Sequence, residues 1–269
     1  MSKVIKEWVS FAVEVALSAG SVLKKGFGSQ FIIDSKPGKQ NLVTEYDRAS
    51  ENLIVTAIKN QYPTHSILAE ESGSYIQQES QATWIIDPLD GTVNFAHEIP
   101  LFSISIAVAL HKEIVCGVVY QPMTNELFVA QKKQGAFLNN RLLSISSVSQ
   151  MNQAILATGF PYNVHKDPLH CIESFSKILK TGTPIRRLGS AAIDLAYVAA
   201  GRFDGFWEVG LNSWDMAAGM LLVKEAGGMV THYDGTEHQI FGYHNLLATN
   251  KHLHPIMIDY LNKGEHETH

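Results

Sequence analysis

Five acids stand where apolar segments begin or end. Glu70 and Glu71 follow Ile67-Leu68-Ala69, Asp87 and Asp90 follow Trp84-Ile85-Ile86, and Asp215 opens an apolar run after Trp214. Carboxylates that converge at strand ends repel one another unless a cation neutralises them. An all-oxygen donor set suits Mg²⁺, which takes carboxylate, carbonyl and water, whereas zinc ordinarily recruits His or Cys. Directly after Asp90, Gly91 and Thr92 supply a backbone free to approach a ligand, N–H groups left unpaired by a turn, and a hydroxyl. Those are the requirements of a phosphate site. Metal and phosphate at one strand end point to phosphoryl transfer to water, with cations holding the attacking and leaving oxygens.

Spacing separates this chemistry from a competing one. Phosphatases of the haloacid-dehalogenase type use Asp-x-Asp-Gly-Thr, with the first Asp as nucleophile. Here two residues part Asp87 from Asp90, which disfavours an aspartyl-phosphate intermediate. Simpler roles stay open for some of the acids. Asp47 stands at the third position of a helix and Asp215 in a first turn, where acids contribute roughly 0.3–1 kcal/mol in any case. Glu70-Glu71 also reads as a solvated loop pair. His252 and His254 are spaced like ligands, and His232, His238 and His244 lie nearby. They fall in expected loops without a partner Cys or Asp at ligand spacing, so they are not read as a metal site.

The elements that must position these acids follow from pattern. Trp8, Phe11, Ala12, Val15, Ala16, Ala19 and Val22 recur at three- and four-residue intervals, which predicts an amphipathic helix over Val4–Leu23 rather than a signal peptide. A capping box, Thr44-Glu45-Tyr46-Asp47, opens a second helix that ends before Pro63. Strands are expected at Ser66–Ala69, Trp84–Ile86, Ser103–Leu110, Ile114–Tyr120 and Glu126–Ala130, joined by short turns into an antiparallel or mixed sheet. Pro88 is expected to stop the second of these just past Asp87. From about residue 153 the pattern alternates: strands Ala154–Thr158, Ile185–Leu188, Asp204–Glu208, Met229–Thr231 and Leu246–Thr249, with helices near Pro168–Lys180, Ala191–Ala200, Trp214–Ala226 and Pro255–Leu261. An α+β lobe (residues 1–150) carrying most of the acids would pack on an α/β lobe (151–269) as one compact unit. The tail after Lys263 is short and polar.

Bulk properties exclude several classes. At 269 residues with 45% hydrophobic content the chain can bury a large core, and a net charge of -5 gives no electrostatic case for nucleic acid. Lys132-Lys133 and Arg186-Arg187 are isolated basic pairs. No apolar run approaches the roughly 20 residues that span a bilayer. Cys116 and Cys171, far apart in apolar surroundings, read as reduced thiols of a cytoplasmic protein.

Three long motifs in order carry a resemblance that spans nearly the whole chain: Glu70-Glu71-Ser72-Gly73, then Asp87-Pro88-Leu89-Asp90-Gly91-Thr92-Val93-Asn94-Phe95, then Trp214-Asp215-Met216-Ala217-Ala218-Gly219 followed by Glu225-Ala226-Gly227-Gly228. On these the chain resembles the inositol monophosphatase family, most closely its bacterial SuhB-type members. The resemblance implies a layered αβαβα sandwich, usually a homodimer, with a Mg²⁺-dependent, lithium-sensitive phosphomonoesterase site for myo-inositol 1-phosphate or a close polyol phosphate. It implies one Mg²⁺ on Glu70, Asp87 and the Leu89 carbonyl, a second on Asp87, Asp90 and Asp215, and a third, weaker ion on Glu70 and waters. Glu70 and Thr92 would activate the attacking water, with Asp47 in the same network. The Gly91 and Thr92 backbone would meet the phosphate at the opening of a helix, with Leu89 and Asp215 bordering the substrate. Asp90, Ser190, Ala191 and Glu208 would position the polyol, and Arg186 would be a further contact. A mobile loop, Asp34–Asn41, would bring Lys36 near the third ion. Asn41 departs from the family, where an Asp commonly precedes Leu-Val-Thr. The same site could serve fructose 1,6-bisphosphate, NADP or a nucleotide phosphate. SuhB-type relatives also imply a second, non-catalytic role with RNA polymerase and Nus factors in ribosomal-RNA transcription antitermination.

Overall fold

The structure is a computed structural model that describes residues 2–35, 42–78, 80–242 and 244–262. Helix α1 (Ser2–Gly26) buries Trp8, Ala12, Val15, Ala16, Ala19 and Leu23, one face of a 3.6-residue repeat. Strands β1 (Ile33–Ser35) and β2 (Leu42–Thr44) pair antiparallel, Ile33 opposite Thr44. Helix α2 (Glu45–Gln61) starts at the capping box, the Thr44 hydroxyl accepting from the Tyr46 and Asp47 N–H groups. There follow β3 (Ser66–Ala69), β4 (Gly73–Tyr75), β5 (Ala82–Asp90), the short α3 (Thr92–Ala96), β6 (Ser103–Leu110), β7 (Glu113–Gln121), β8 (Glu126–Gln131), β9 (Gly135–Leu138) and β10 (Arg141–Leu142). The second half contains β11 (Leu156–Thr158), α4 (Cys171–Leu179), β12 (Ile185–Arg186), α5 (Ala191–Ala199), β13 (Gly205–Leu211), α6 (Ser213–Glu225), β14 (Met229–Thr231), β15 (His244–Thr249) and α7 (His254–Asn262).

Two main sheets result. The larger runs β10-β9-β8-β7-β6-β5-β3-β4, antiparallel except where β3 pairs with β5. The smaller runs β12-β11-β13-β15-β14, parallel around β11 and antiparallel around β15. Side-chain alternation then stacks the layers. Trp84 and Ile86 of β5, with Ile104, Ile106 and Val108 of β6, face α1 and α2. Ile85, Ala107 and Ala109 face the opposite way, onto α5 and α6, and the same core takes in Phe206, Leu246 and Ala248 of the smaller sheet. Trp207, Val209 and Leu247 face outward onto α4 and α7. The order is therefore helix, sheet, helix, sheet, helix, the layered αβαβα sandwich. Both sheets have two covered faces, which is why β5, β6 and β13 read as continuous apolar runs.

The elements depart from sequence expectation in places that have a physical cause. Pro88 does not end β5. The register moves from Asp87 opposite Ser105 to Asp90 opposite Ser103, so the strand carries a bulge there. A bulge tolerates a residue without an N–H, and it re-aims the acids on either side. The helix expected over Pro168–Lys180 is a short 3₁₀ turn at Pro168–His170 followed by α4, because Asp167, Leu169 and His170 take left-handed backbone. The strand expected over Ile185–Leu188 spans Ile185–Arg186 alone. His254, expected in a loop, opens α7 and is buried, its ring between the hydroxyls of Thr231 (2.9 Å) and Thr249 (2.7 Å). Cys116 and Cys171 are both buried free thiols. None of the described helices is long and apolar enough to cross a membrane.

Candidate active site

The Asp87–Asp90 bulge at the carboxyl end of β5 is held from beneath by α2. Asp47, Ser50 and Glu51 occupy one buried face of that helix, at the i, i+3, i+4 spacing that places residues side by side. Ser50 Oγ donates to the Pro88 carbonyl at 2.8 Å. The Glu51 carboxylate accepts from the Glu71 and Ser72 N–H groups, both at 2.8 Å, and so fixes the turn that carries Glu70. Glu70 itself continues the β3–β5 pairing, its N–H donating to the Ile86 carbonyl at 3.2 Å. Asp47 Oδ2 accepts from Thr44 N (2.8 Å) and Thr44 Oγ1 (2.5 Å). Its other oxygen, Oδ1, lies 2.8 Å from Thr92 Oγ1, which also lies 3.0 Å from the Leu89 carbonyl.

Gly91 makes the turn possible. It has φ +98°, and a Cβ there would stand 3.0 Å from the Leu101 carbonyl and 3.2 Å from the Gly189 carbonyl. Only glycine fits both the left-handed backbone and the gap. Asn94 then ties the surrounding loops, its Nδ2 donating to the carbonyls of Leu101 (2.6 Å) and Leu188 (2.7 Å).

Two helices from the second half close on this strand end. Ser190, the N-cap of α5, donates through Oγ to Asp90 Oδ2 at 2.6 Å, and the Ala192 N–H reaches the same oxygen at 2.8 Å. Asp215 lies in the first turn of α6, where its Oδ2 accepts from the Asn212 N–H at 2.6 Å. Ser105 Oγ of β6 donates to the Trp214 carbonyl at 3.1 Å and holds that turn against the sheet.

The electrostatics show which acids face one another. Burial first, then the charges of Glu70, Asp90 and Asp215, hold Asp87 well above the usual carboxylate range, while the Leu89 N–H on its Oδ1 opposes this. Asp215 is likewise raised, by burial and then by Glu70, with Asp90 and Glu208 adding. Burial takes Asp90 up to about 6 against the pull of Ser190 and the Ala191 and Ala192 N–H groups. Glu208 rises to about 8 from burial and then from Asp90, with Arg187 opposing. Asp47 is raised by burial and lowered by its threonine partners. Among the described residues no three of these side chains close into a cage by themselves. Their fit is to an ion completed by a backbone carbonyl, water and ligand oxygens, the habit of Mg²⁺.

The structure thus brings Asp47, Glu70, Asp87, Leu89, Asp90, Gly91, Thr92, Ser190, Ala191, Glu208 and Asp215 into one region. Arg186 is exposed and turns Nη1 onto the Ile185 carbonyl, while it is the charge of Arg187 that acts on Glu208. Lys36 and Asn41 lie outside the described residues. Ser50, Glu51, Asn94 and Asp194 were not anticipated. The α2 trio had a signal in its spacing, and Asp194 had one as a lone acid within the apolar α5.

Comparison with known proteins identifies relatives along nearly the whole chain. Residues 5–266 match the inositol monophosphatase family. The Nus factor SuhB of Escherichia coli is 43% identical over 243 residues, 90% of this chain and 91% of that protein. The inositol-1-monophosphatase of Synechocystis sp. is 42% identical over 250 residues, 93% of this chain and 87% of that protein. Among solved structures, the extragenic suppressor protein suhB of Bartonella henselae superposes with a TM-score of 0.89 at 40% identity, covering 95% of this chain and 98% of the other. With the family match running through residues 5–266 and relatives above 40% identity along about nine-tenths of the chain, the chain belongs to the inositol monophosphatase family.

Proposed function

We propose that the protein is a Mg²⁺-dependent phosphomonoesterase that hydrolyses myo-inositol 1-phosphate and related polyol monophosphates. The observation that carries this reading is the mutual repulsion of Glu70, Asp87, Asp90 and Asp215 beside the Gly91-Thr92 turn. Mg²⁺ held by these acids and the Leu89 carbonyl would supply charge to the phosphoryl oxygens and make water more acidic. The chain's own residues then have separable tasks. The Gly91 and Thr92 N–H groups, left-handed then helical, form a nest for phosphate oxygens. Thr92, with its proton directed to Asp47 or the Leu89 carbonyl, presents a lone pair to the attacking water, and Glu70 takes that water's proton. Glu208 and Asp90 orient the polyol, with Ser190 holding Asp90 in place. Comparing kcat/KM for myo-inositol 1-phosphate, fructose 1,6-bisphosphate, NADP and a nucleotide monophosphate tests the substrate. The reading requires inositol 1-phosphate to lead, and a clear preference for another member of the panel overturns it.

A second role is favoured by one finding: a relative named Nus factor SuhB and one named inositol-1-monophosphatase match this chain almost equally, at 43% and 42% identity. A non-catalytic association with Nus factors and RNA polymerase would use the protein's outer surface. Co-purification with these proteins by both the wild type and Asp90→Asn would establish a role independent of chemistry. Absence of co-purification would dismiss it.

A further inference from the structure

The Glu208 carboxylate sits in a slot that a single missing atom creates. A Cβ at Gly159, just beyond β11, would stand 2.1 Å from Glu208 Oε2, 2.4 Å from Oε1 and 2.3 Å from the carboxyl carbon. Thr158, the residue before it, is anchored to β13 by its Oγ1 on the Trp207 carbonyl at 2.7 Å, so added bulk at 159 falls on the Glu208 side chain and displaces its carboxylate. Behind Glu208, on the first turn of α5, stands Asp194, 1% exposed and with Oδ1 lacking a hydrogen-bond partner. Glu208 is the strongest charge that Asp194 meets. A buried carboxylate oxygen without a partner costs free energy that an apolar side chain would not, and such groups concentrate where function needs them. A like charge on that side opposes an ionised Glu208 carboxylate turning toward α5.

We infer that Gly159 and Asp194 form a socket that aims Glu208 at the hydroxyls of a polyol, making both of them positioning residues for substrate choice. The inference rests on the polyol phosphatase reading above. Gly159 opens the space and Asp194 closes the alternative, so Glu208 is pre-organised before substrate arrives. Neither residue touches the phosphate end of the site. Their loss acts on KM for substrates that carry hydroxyls and spares those that do not.

Steady-state kinetics with Mg²⁺ on myo-inositol 1-phosphate and on p-nitrophenyl phosphate, which has no hydroxyls, test this. Gly159→Ala and Asp194→Asn should each raise KM for inositol 1-phosphate about tenfold, the loss of one hydrogen bond, with kcat and the p-nitrophenyl phosphate kinetics little changed. Adding Gly159→Ala to Glu208→Asp should cost almost nothing further, since the shorter side chain vacates the slot. Asp194→Asn should melt no lower than the wild type, where a merely structural acid would cost stability. Equal losses on both substrates, an unchanged KM for inositol 1-phosphate, or additive effects of Gly159→Ala and Glu208→Asp would overturn the socket. If Gly159→Ala does not fold, Asp194→Asn alone decides by the same two readouts. A wild type that cleaves p-nitrophenyl phosphate and ignores inositol 1-phosphate would instead overturn the polyol reading itself.

Discussion

Asp90→Asn should make the protein more stable and inactive at once. In the folded chain burial raises Asp90 from 3.8 to about 6, so keeping it ionised at pH 7 costs free energy. At 1.36 kcal/mol per unit that is about 3 kcal/mol; water reaching the partly exposed residue reduces it to about 1–3 kcal/mol. The sign follows from linkage. Below pH 3.8 the acid is protonated in both states and carries no penalty; the penalty grows between 3.8 and 6 and is complete above 6. Asparagine keeps an oxygen for Ser190 and the Ala192 N–H, so the anchor to α5 survives. Thermal melts in EDTA at pH 7 should place the variant roughly 2–10 °C above the wild type, with the gap closing by pH 4. Adding Mg²⁺ should raise the wild-type melting temperature more than the variant's, since a ligand that binds the folded state stabilises it and the variant keeps only the ion position that does not use Asp90. A variant that melts below the wild type in EDTA, or that gains as much from Mg²⁺ as the wild type does, would exclude an ionised, ion-binding Asp90.

Three further outcomes are expected. Thr92→Val removes the hydroxyl between Asp47 and the Leu89 carbonyl, so kcat should fall on the order of 100-fold with KM within a few fold, as steady-state rates would show. Glu51→Gln loses one of two carboxylate contacts to the turn bearing Glu70, costing about 1–3 kcal/mol in denaturant titration and raising the Mg²⁺ concentration for half-maximal rate. His254 is depressed by burial from 6.5 to about 4, so the stability it contributes above pH 6.5 is lost as pH falls from 6.5 toward 4. The difference in melting temperature between the wild type and His254→Gln should narrow over that interval, and a constant difference would contradict the assignment.

The parts of the site that were legible in sequence are those whose partners are near in the chain. Asp87, Asp90, Gly91 and Thr92 share one strand end, and the Thr44–Asp47 capping box announces itself within four residues. Pro88 misled because proline normally ends a ladder, whereas a bulge can absorb it. What sequence did not show depends on long-range contact. Glu208 looks like an acid on a strand surface until β11, α5 and Arg187 surround it. Glu51 looks like a solvated helix position until the turn twenty residues later docks on it. The layer order was carried by apolar runs buried on both faces, as in Trp84-Ile85-Ile86, whose alternate residues serve different cores. The left-handed residues before α4 have no such signature, since Leu169 is an ordinary helix former in an unusual place.

Phosphate release from myo-inositol 1-phosphate, followed while Mg²⁺ is titrated from chelated zero, decides whether the strand-end carboxylates form a metal-dependent phosphatase site. No release in EDTA, a saturable rise with Mg²⁺, and loss of that rise in Asp87→Asn are expected. Release that persists in EDTA, or that Asp87→Asn retains in full, would contradict such a site.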